Sequence, residues 1–144
     1  IRDVLGSRGL GDVYKRQESD YLPHNYTHNC VVYTGTHDND TVMGWYDTLK
    51  GADKKLCDDY LRLKNADGEP IPREQLPWEF VRAAMSSVAD LAIIPMQDYL
   101  GLGSEARINI PSTLGINWKW RIGNGDFTKE LAGRIRSMTK LYGR

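Results

Sequence analysis

The sequence predicts an α/β fold made of βα units, with a sheet that these residues leave incomplete. Three observations carry that prediction. Residues 30–34 and 91–95 are short runs rich in β-branched, aliphatic and aromatic side chains, as in strands buried on both faces of a parallel sheet. Stretches with a 3.6-residue apolar period follow the first, and the chain between the two is far too long for a hairpin, so the connection is a crossover. Two strands cannot bury both their faces against each other, so the pattern calls for further strands.

In chain order, the opening residues IRDVLGSRGLGDVYKRQ show neither a helical nor a strand period. The end of that segment, GDVYKRQ, resembles translated adapter sequence at the ends of gene fragments. Residues 1–17 are therefore expected to be a non-native leader that packs on nothing, and 18–144 the folded part. A native flexible arm is the rival reading. YLPHNYTHN, residues 21–29, reads as loop, and 30–34 as the first strand, ending at Gly35. Val42, Trp45, Tyr46 and Leu49 then mark an amphipathic helix, which Gly51 breaks. Leu56, Tyr60 and Leu63 mark a second helix, closed by Asn65-Ala66-Asp67-Gly68.

Pro70 and Pro72 indicate a linker, and Pro77 suits the first turn of a helix. Trp78, Val81, Met85 and Val88 form that helix's apolar stripe. After the second strand, residues 96–126 read as a long loop punctuated by Gly and Pro. A last helix carries Leu131, Ile135, Met138 and Tyr142 on one face, with Asp126 as candidate N-cap.

Composition excludes several function classes. The net charge is zero with charges interspersed, which gives no basic footprint for nucleic acid or an anionic membrane. No apolar run approaches the roughly 20 residues that span a bilayer. Cys30 and Cys57 are too few for a disulfide framework, and the expected setting is a reducing cytoplasm.

The strongest local signal is Thr36-His37-Asp38-Asn39-Asp40, at the C-terminal end of the first strand. In a barrel of βα units that end of every strand faces the active site. Read as residues alone, the segment fits equally a polar loop in which Asp40 or Thr41 caps the following helix. Two other patterns invite misreading. Gly101-Leu-Gly103-Ser-Glu-Ala106 matches a dinucleotide-binding fingerprint, but Arg107-Ile-Asn-Ile-Pro111 cannot start the long helix that such a loop must open. His24 and His28 lie near His37-Asp38 in sequence and suggest a metal-dependent hydrolase, but their Pro- and Asn-rich surroundings are not helical.

GTHDNDT after a β-branched strand, followed by VMGWY, resembles the region of glycoside hydrolase family 77 that carries a catalytic carboxylate. The segment PMQDYLGLGSEARINIP, residues 95–111, and Trp118-Lys119-Trp120-Arg121 are similar to the same family's segment after its last barrel strand. The likeness covers residues 18–144, and it departs at Ser112, where the family pattern has glycine. The resemblance implies the C-terminal βα units of a (β/α)8 barrel, incomplete in this chain. It implies a 4-α-glucanotransferase moving segments of α-1,4-glucan between maltodextrins, by a retaining mechanism and without cofactor or metal.

By the resemblance, Asp38 is the transition-state stabiliser and His37 contacts the donor sugar, while Asn109 reads equally as a substrate contact or as a polar loop residue satisfying backbone groups. A fixed carboxylate suits that role because retaining transfer passes through an oxocarbenium-like state. The nucleophile and the acid/base sit on earlier strands in this family, and neither motif is present. Asn39 and Asp40 read as loop-structuring, Asp20, Asp90, Asp98 and Glu105 as solvated or capping groups, and Trp118 and Trp120 as packing residues. The alternatives are the metal-dependent hydrolase using His37-Asp38, and a non-catalytic carbohydrate-binding module using the two tryptophans.

Overall fold

The computed structural model describes residues 2–3 and 22–144. One parallel sheet holds three strands in the order β1 (Arg2–Asp3), β2 (Val31–Tyr33), β3 (Leu91–Ile93). Val32 of β2 is in register with Arg2 on one side and Ala92 on the other. The parallel pairing of β2 with β3 is the crossover that the periodicity predicts. Pairing at Arg2–Asp3 contradicts the expectation that residues 1–17 pair with nothing. The remainder of that segment, with Asp20, lies outside the described residues.

The second strand departs from the expectation of burial on both faces. Val32 on the central strand is fully buried, whereas Leu91 is 52% and Ile93 42% exposed. Leu91 and Ile93, two residues apart, share one face of the sheet, which lies largely open among the described residues, whereas Ala92 between them packs on the core from the other face.

Helix α1 (Val42–Thr48) is capped by Thr41, whose hydroxyl accepts from the Gly44 amide at 3.0 Å. The break after it falls at Leu49 and Lys50, and Gly51 opens α2 (Gly51–Leu61). The buried side of α2 is Cys57 and Leu61, with Leu56 and Tyr60 packed at its flank; Leu63 is buried beyond the helix end, which Arg62 makes at φ 56°.

Helix α3 (Leu76–Met85) is buried on three sides rather than along one stripe, with only Glu79 and Arg82 partly exposed. Leu76, Phe80 and Ala83 face α1 and α2, Ala84 meets Val32 under the sheet, and Trp78, Val81 and Met85 meet the last helix. The single predicted stripe captured only that third face. Val88 lies past the helix end and is exposed, because the hydroxyls of Ser86 and Ser87 turn back onto the carbonyls of Ala83 and Ala84.

A one-turn helix, α4 (Met96–Leu100), sits in the segment read as loop; so short a helix carries no period. Helix α5 (Lys129–Leu141) lays Leu131, Ile135, Met138 and Tyr142 on α3 as its spacing predicts. Its N-cap is Thr128, which accepts from the Leu131 amide at 3.1 Å. Asp126, the expected cap, instead accepts from the Gly123 amide at 2.8 Å. No described helix is long and apolar enough to cross a membrane.

Because β2 and β3 run parallel as neighbours, the loop after each emerges at the same edge of the sheet. That edge brings residues 34–41 against 94–109 across more than 50 residues of sequence.

Candidate active site at the strand ends

The loop after β2 is shaped by its own polar side chains. Asn39 accepts through Oδ1 from the Thr36 amide at 2.7 Å and from the Thr36 hydroxyl at 2.8 Å, and its backbone N–H donates to the Thr36 carbonyl at 3.1 Å. Asp40 accepts from the Thr41 amide through Oδ1 at 2.8 Å and from the Ser104 hydroxyl through Oδ2 at 2.6 Å. These are the loop-structuring roles expected of the pair, and Thr41 is the helix cap that the residues alone allowed. The cap and the candidate site coexist: the residues that build the turn leave His37 and Asp38 pointing out of it.

Asp38 is half exposed, and its Oδ1 accepts from Asn109 Nδ2 at 2.6 Å. His37 Nε2 stands 3.3 Å from the same oxygen. No described residue donates to the other oxygen, Oδ2. The Arg107 guanidinium braces both loops, donating to the Asp38 carbonyl at 2.7 Å and to the Asn109 carbonyl at 2.8 Å. The structure thus brings together all three residues named from the sequence, Asp38, His37 and Asn109. Arg107 was missed; its signal was only a lone cation in the loop after β3.

Trp118 is exposed, not a packing residue, with its ring 5.3 Å from the His37 ring at 33°. Its φ of 63° lies in the left-handed region, where the Trp118 amide donates to the Ile108 carbonyl at 2.8 Å. Ser112 also sits at a positive φ, 64°, which explains why glycine is the expected residue there.

Asp98, read from the sequence as solvated or capping, is fully buried. Its Oδ2 accepts from the Thr34 hydroxyl at 2.5 Å and its Oδ1 from the Val42 amide at 2.9 Å. Burial pushes its carboxyl above the usual carboxylate range, the two donors oppose that shift, and the Asp40 charge reinforces it. Gln97 beside it is buried and donates to the Ala106 carbonyl at 3.2 Å. Glu105 accepts from the Gly103 amide at 2.8 Å, and Asp90 is exposed. A cleft between the two loops is lined by His37, Asp40, Pro95, Gln97, Asp98 and Arg107.

The two misleading motifs resolve locally. Gly101 is the left-handed C-cap of α4 at φ 67°, and a 3-10 turn, Ser104–Ala106, follows instead of a long helix. His24 pairs with the Tyr60 hydroxyl at 3.0 Å rather than with His37. No group of three or more His, Cys, Asp or Glu side chains that could hold a metal gathers among the described residues.

Residues 10–126 match the model of a family described as 4-alpha-glucanotransferase. A 4-alpha-glucanotransferase of Clostridium butyricum is 50% identical over 125 residues, covering 86% of this chain and 24% of that protein. One of Thermus thermophilus is 45% identical over 148 residues, covering 97% of this chain and 29% of the relative. Among solved structures, an amylomaltase from Streptococcus agalactiae in complex with acarbose aligns with a TM-score of 0.80 and 32% identity, covering 90% of this chain and 25% of that one. The chain spans about a quarter of the length of these relatives.

Proposed function

The chain belongs to the 4-alpha-glucanotransferase family, glycoside hydrolase family 77, and from that membership we propose that it supplies the transition-state-stabilising corner of a larger (β/α)8 enzyme. That enzyme transfers α-1,4-glucan segments between maltodextrins with retention, and works in the cytoplasm. The observation that carries the reading is the carboxylate of Asp38. It stands at a strand's C-terminal end, steadied through one oxygen by Asn109 and flanked by His37, with no described residue donating to its other oxygen.

Positive charge grows at the anomeric carbon as the glycosidic bond breaks. A preoriented carboxylate that accepts from an adjacent sugar hydroxyl gains most at that moment. His37 donates to a neighbouring hydroxyl, Asn109 holds Asp38 while facing the same sugar, and Trp118 offers a flat ring beside them. Retaining transfer also needs a nucleophile and an acid/base flanking the bond, and these come from the rest of the larger polypeptide. Glycosyl transfer of this type involves no redox step, and the reading needs no cofactor or metal.

The test is a chimaera in which this chain replaces the segment it matches in the Clostridium butyricum relative. Maltotriose should be disproportionated, with glucose released, in the presence of a chelator. Loss of activity to the chelator and recovery with a divalent ion would instead favour a metal-dependent hydrolase. A folded chimaera with no transfer would overturn the proposal.

A further inference from the structure

We propose that Asp98 is a positioning residue for this reaction, a single buried carboxylate that ties down both ends of the loop bearing His37 and Asp38. The proposal rests on the functional reading above and adds a residue that touches no substrate.

Its geometry is unusual in what it spans. Thr34, the donor to Oδ2, lies just before the loop at the end of β2; Val42, the donor to Oδ1, is the first residue of α1 just after it. Asp98 reaches them from α4, on the neighbouring strand's loop, across 64 and 56 residues of sequence. The two ends of the loop are therefore fixed to one rigid plane of three atoms. Serine or threonine cannot substitute, because one hydroxyl oxygen does not reach both donors; asparagine offers one acceptor and one donor.

Stability alone gives no reason for a carboxylate here. Burying an ionised group without a cationic partner costs several kcal/mol before its hydrogen bonds are counted. Capping of α1 accounts for only one of its two bonds: Thr41 accepts from the Gly44 amide and Asp98 from the Val42 amide, but the Thr34 hydroxyl that Asp98 also holds lies before the loop. What the carboxylate adds is a fixed separation between the loop's entry and exit, and with it the aim of Asp38. Further contacts from the same neighbouring loop support this bracing: Ser104 to Asp40, Arg107 to the Asp38 carbonyl, and Asn109 to the Asp38 carboxylate. Those three sit within the loop, whereas Asp98 sets its ends.

Asp98→Asn keeps the volume and forfeits one acceptor. In the chimaera it should lower kcat about 10- to 100-fold with KM nearly unchanged, because misaimed reacting groups lose transition-state contacts before they lose substrate. In an Asp38→Asn background the same substitution should cost less than about threefold more, since the residue it aims is already disabled. A kcat within about twofold of the parent, or a full additive loss in the double variant, would overturn the proposal. Should Asp98→Asn not fold, Thr34→Val removes the donor at one end only, and should reproduce the fall in kcat at unchanged KM.

The functional reading can fail separately, through an unsubstituted chimaera that folds but does not transfer. Amide hydrogen exchange then decides the role of Asp98 by itself. Exchange across residues 36–42 should quicken at least about tenfold in Asp98→Asn while α3 and α5 keep their protection. Unchanged exchange across 36–42 would sink the idea.

Discussion

At the scale of single residues, the site divides into groups that hold and groups that are held. Asn39, Asp40, Arg107 and Asn109 spend their polar atoms on the two loops, which leaves Asp38 half exposed with one oxygen to which no described residue donates. In the chimaera, Asp38→Asn should lower turnover by about 100- to 1,000-fold, the usual loss for one preorganised transition-state contact. KM should move far less, because the contact strengthens mainly as charge develops. Steady-state kinetics on maltotriose measure both, and near-normal turnover would reduce Asp38 to a loop residue. Cys57 makes a different residue-scale prediction. Burial pushes its thiol from 9.0 to about 12, with Asp58 adding to the shift and Lys54 opposing it. The folded state thus favours the neutral thiol. Stability from this group is intact below pH 9.0 and is lost progressively as pH rises toward about 12. At pH 8 an alkylating reagent should spare Cys57 in the folded protein and label it in urea, read by peptide mass spectrometry. Rapid native labelling would contradict that burial.

At the scale of elements, α3 is the keel, and the contact between α1 and the turn Ser104–Ala106 is what locks the two loops together. Gly44 makes that contact possible. A Cβ there would stand 2.4 Å from Ser104 Oγ and 2.6 Å from Asp40 Oδ1. Both neighbours are short and bonded to each other, so neither can swing aside without breaking the link. Alanine ordinarily stabilises a helix by about 1 kcal/mol over glycine. Overpacking typically costs 1–3 kcal/mol, so Gly44→Ala should be a net loss despite the propensity gain. A lower melting temperature in the chimaera is the expected outcome, and a raised one would show that the loops yield easily.

At the scale of the whole molecule, the exposed apolar side chains of Val88, Leu91 and Ile93 stand at the end of the described sheet. Such an edge, with an apolar face in water, invites pairing with other chains. Expressed alone, the 144-residue chain should self-associate, unfold over a broad urea range and release no glucose from maltotriose. The helices still bury α3, so a compact, sticky state is expected rather than an unfolded one. Sedimentation and urea titration test this. A monomer with a sharp transition would overturn the stability claim, and glucose release by the lone chain would overturn the catalytic one.

The sequence by itself determined whatever depends on neighbours along the chain. The strand at Val31–Tyr33, the helix after it, the face of α5 that packs inward and the turn chemistry of residues 36–41 all follow from periodicity and local polar preference. The glycine that the family resemblance leads one to expect at Ser112 fits a backbone at φ 64°. Tertiary structure decided what depends on partners far away in sequence. Burial of α3 on three sides could not be read from one stripe, because three different layers share its surface. The exposure of Leu91 and Ile93 depends on what covers their face of the sheet, which no local pattern records. Asp98 shows the limit most clearly: an isolated aspartate in sequence reads as solvated or capping. Only the parallel pairing of β2 and β3 carries it, across 64 residues, to two donors that make a buried carboxylate tolerable.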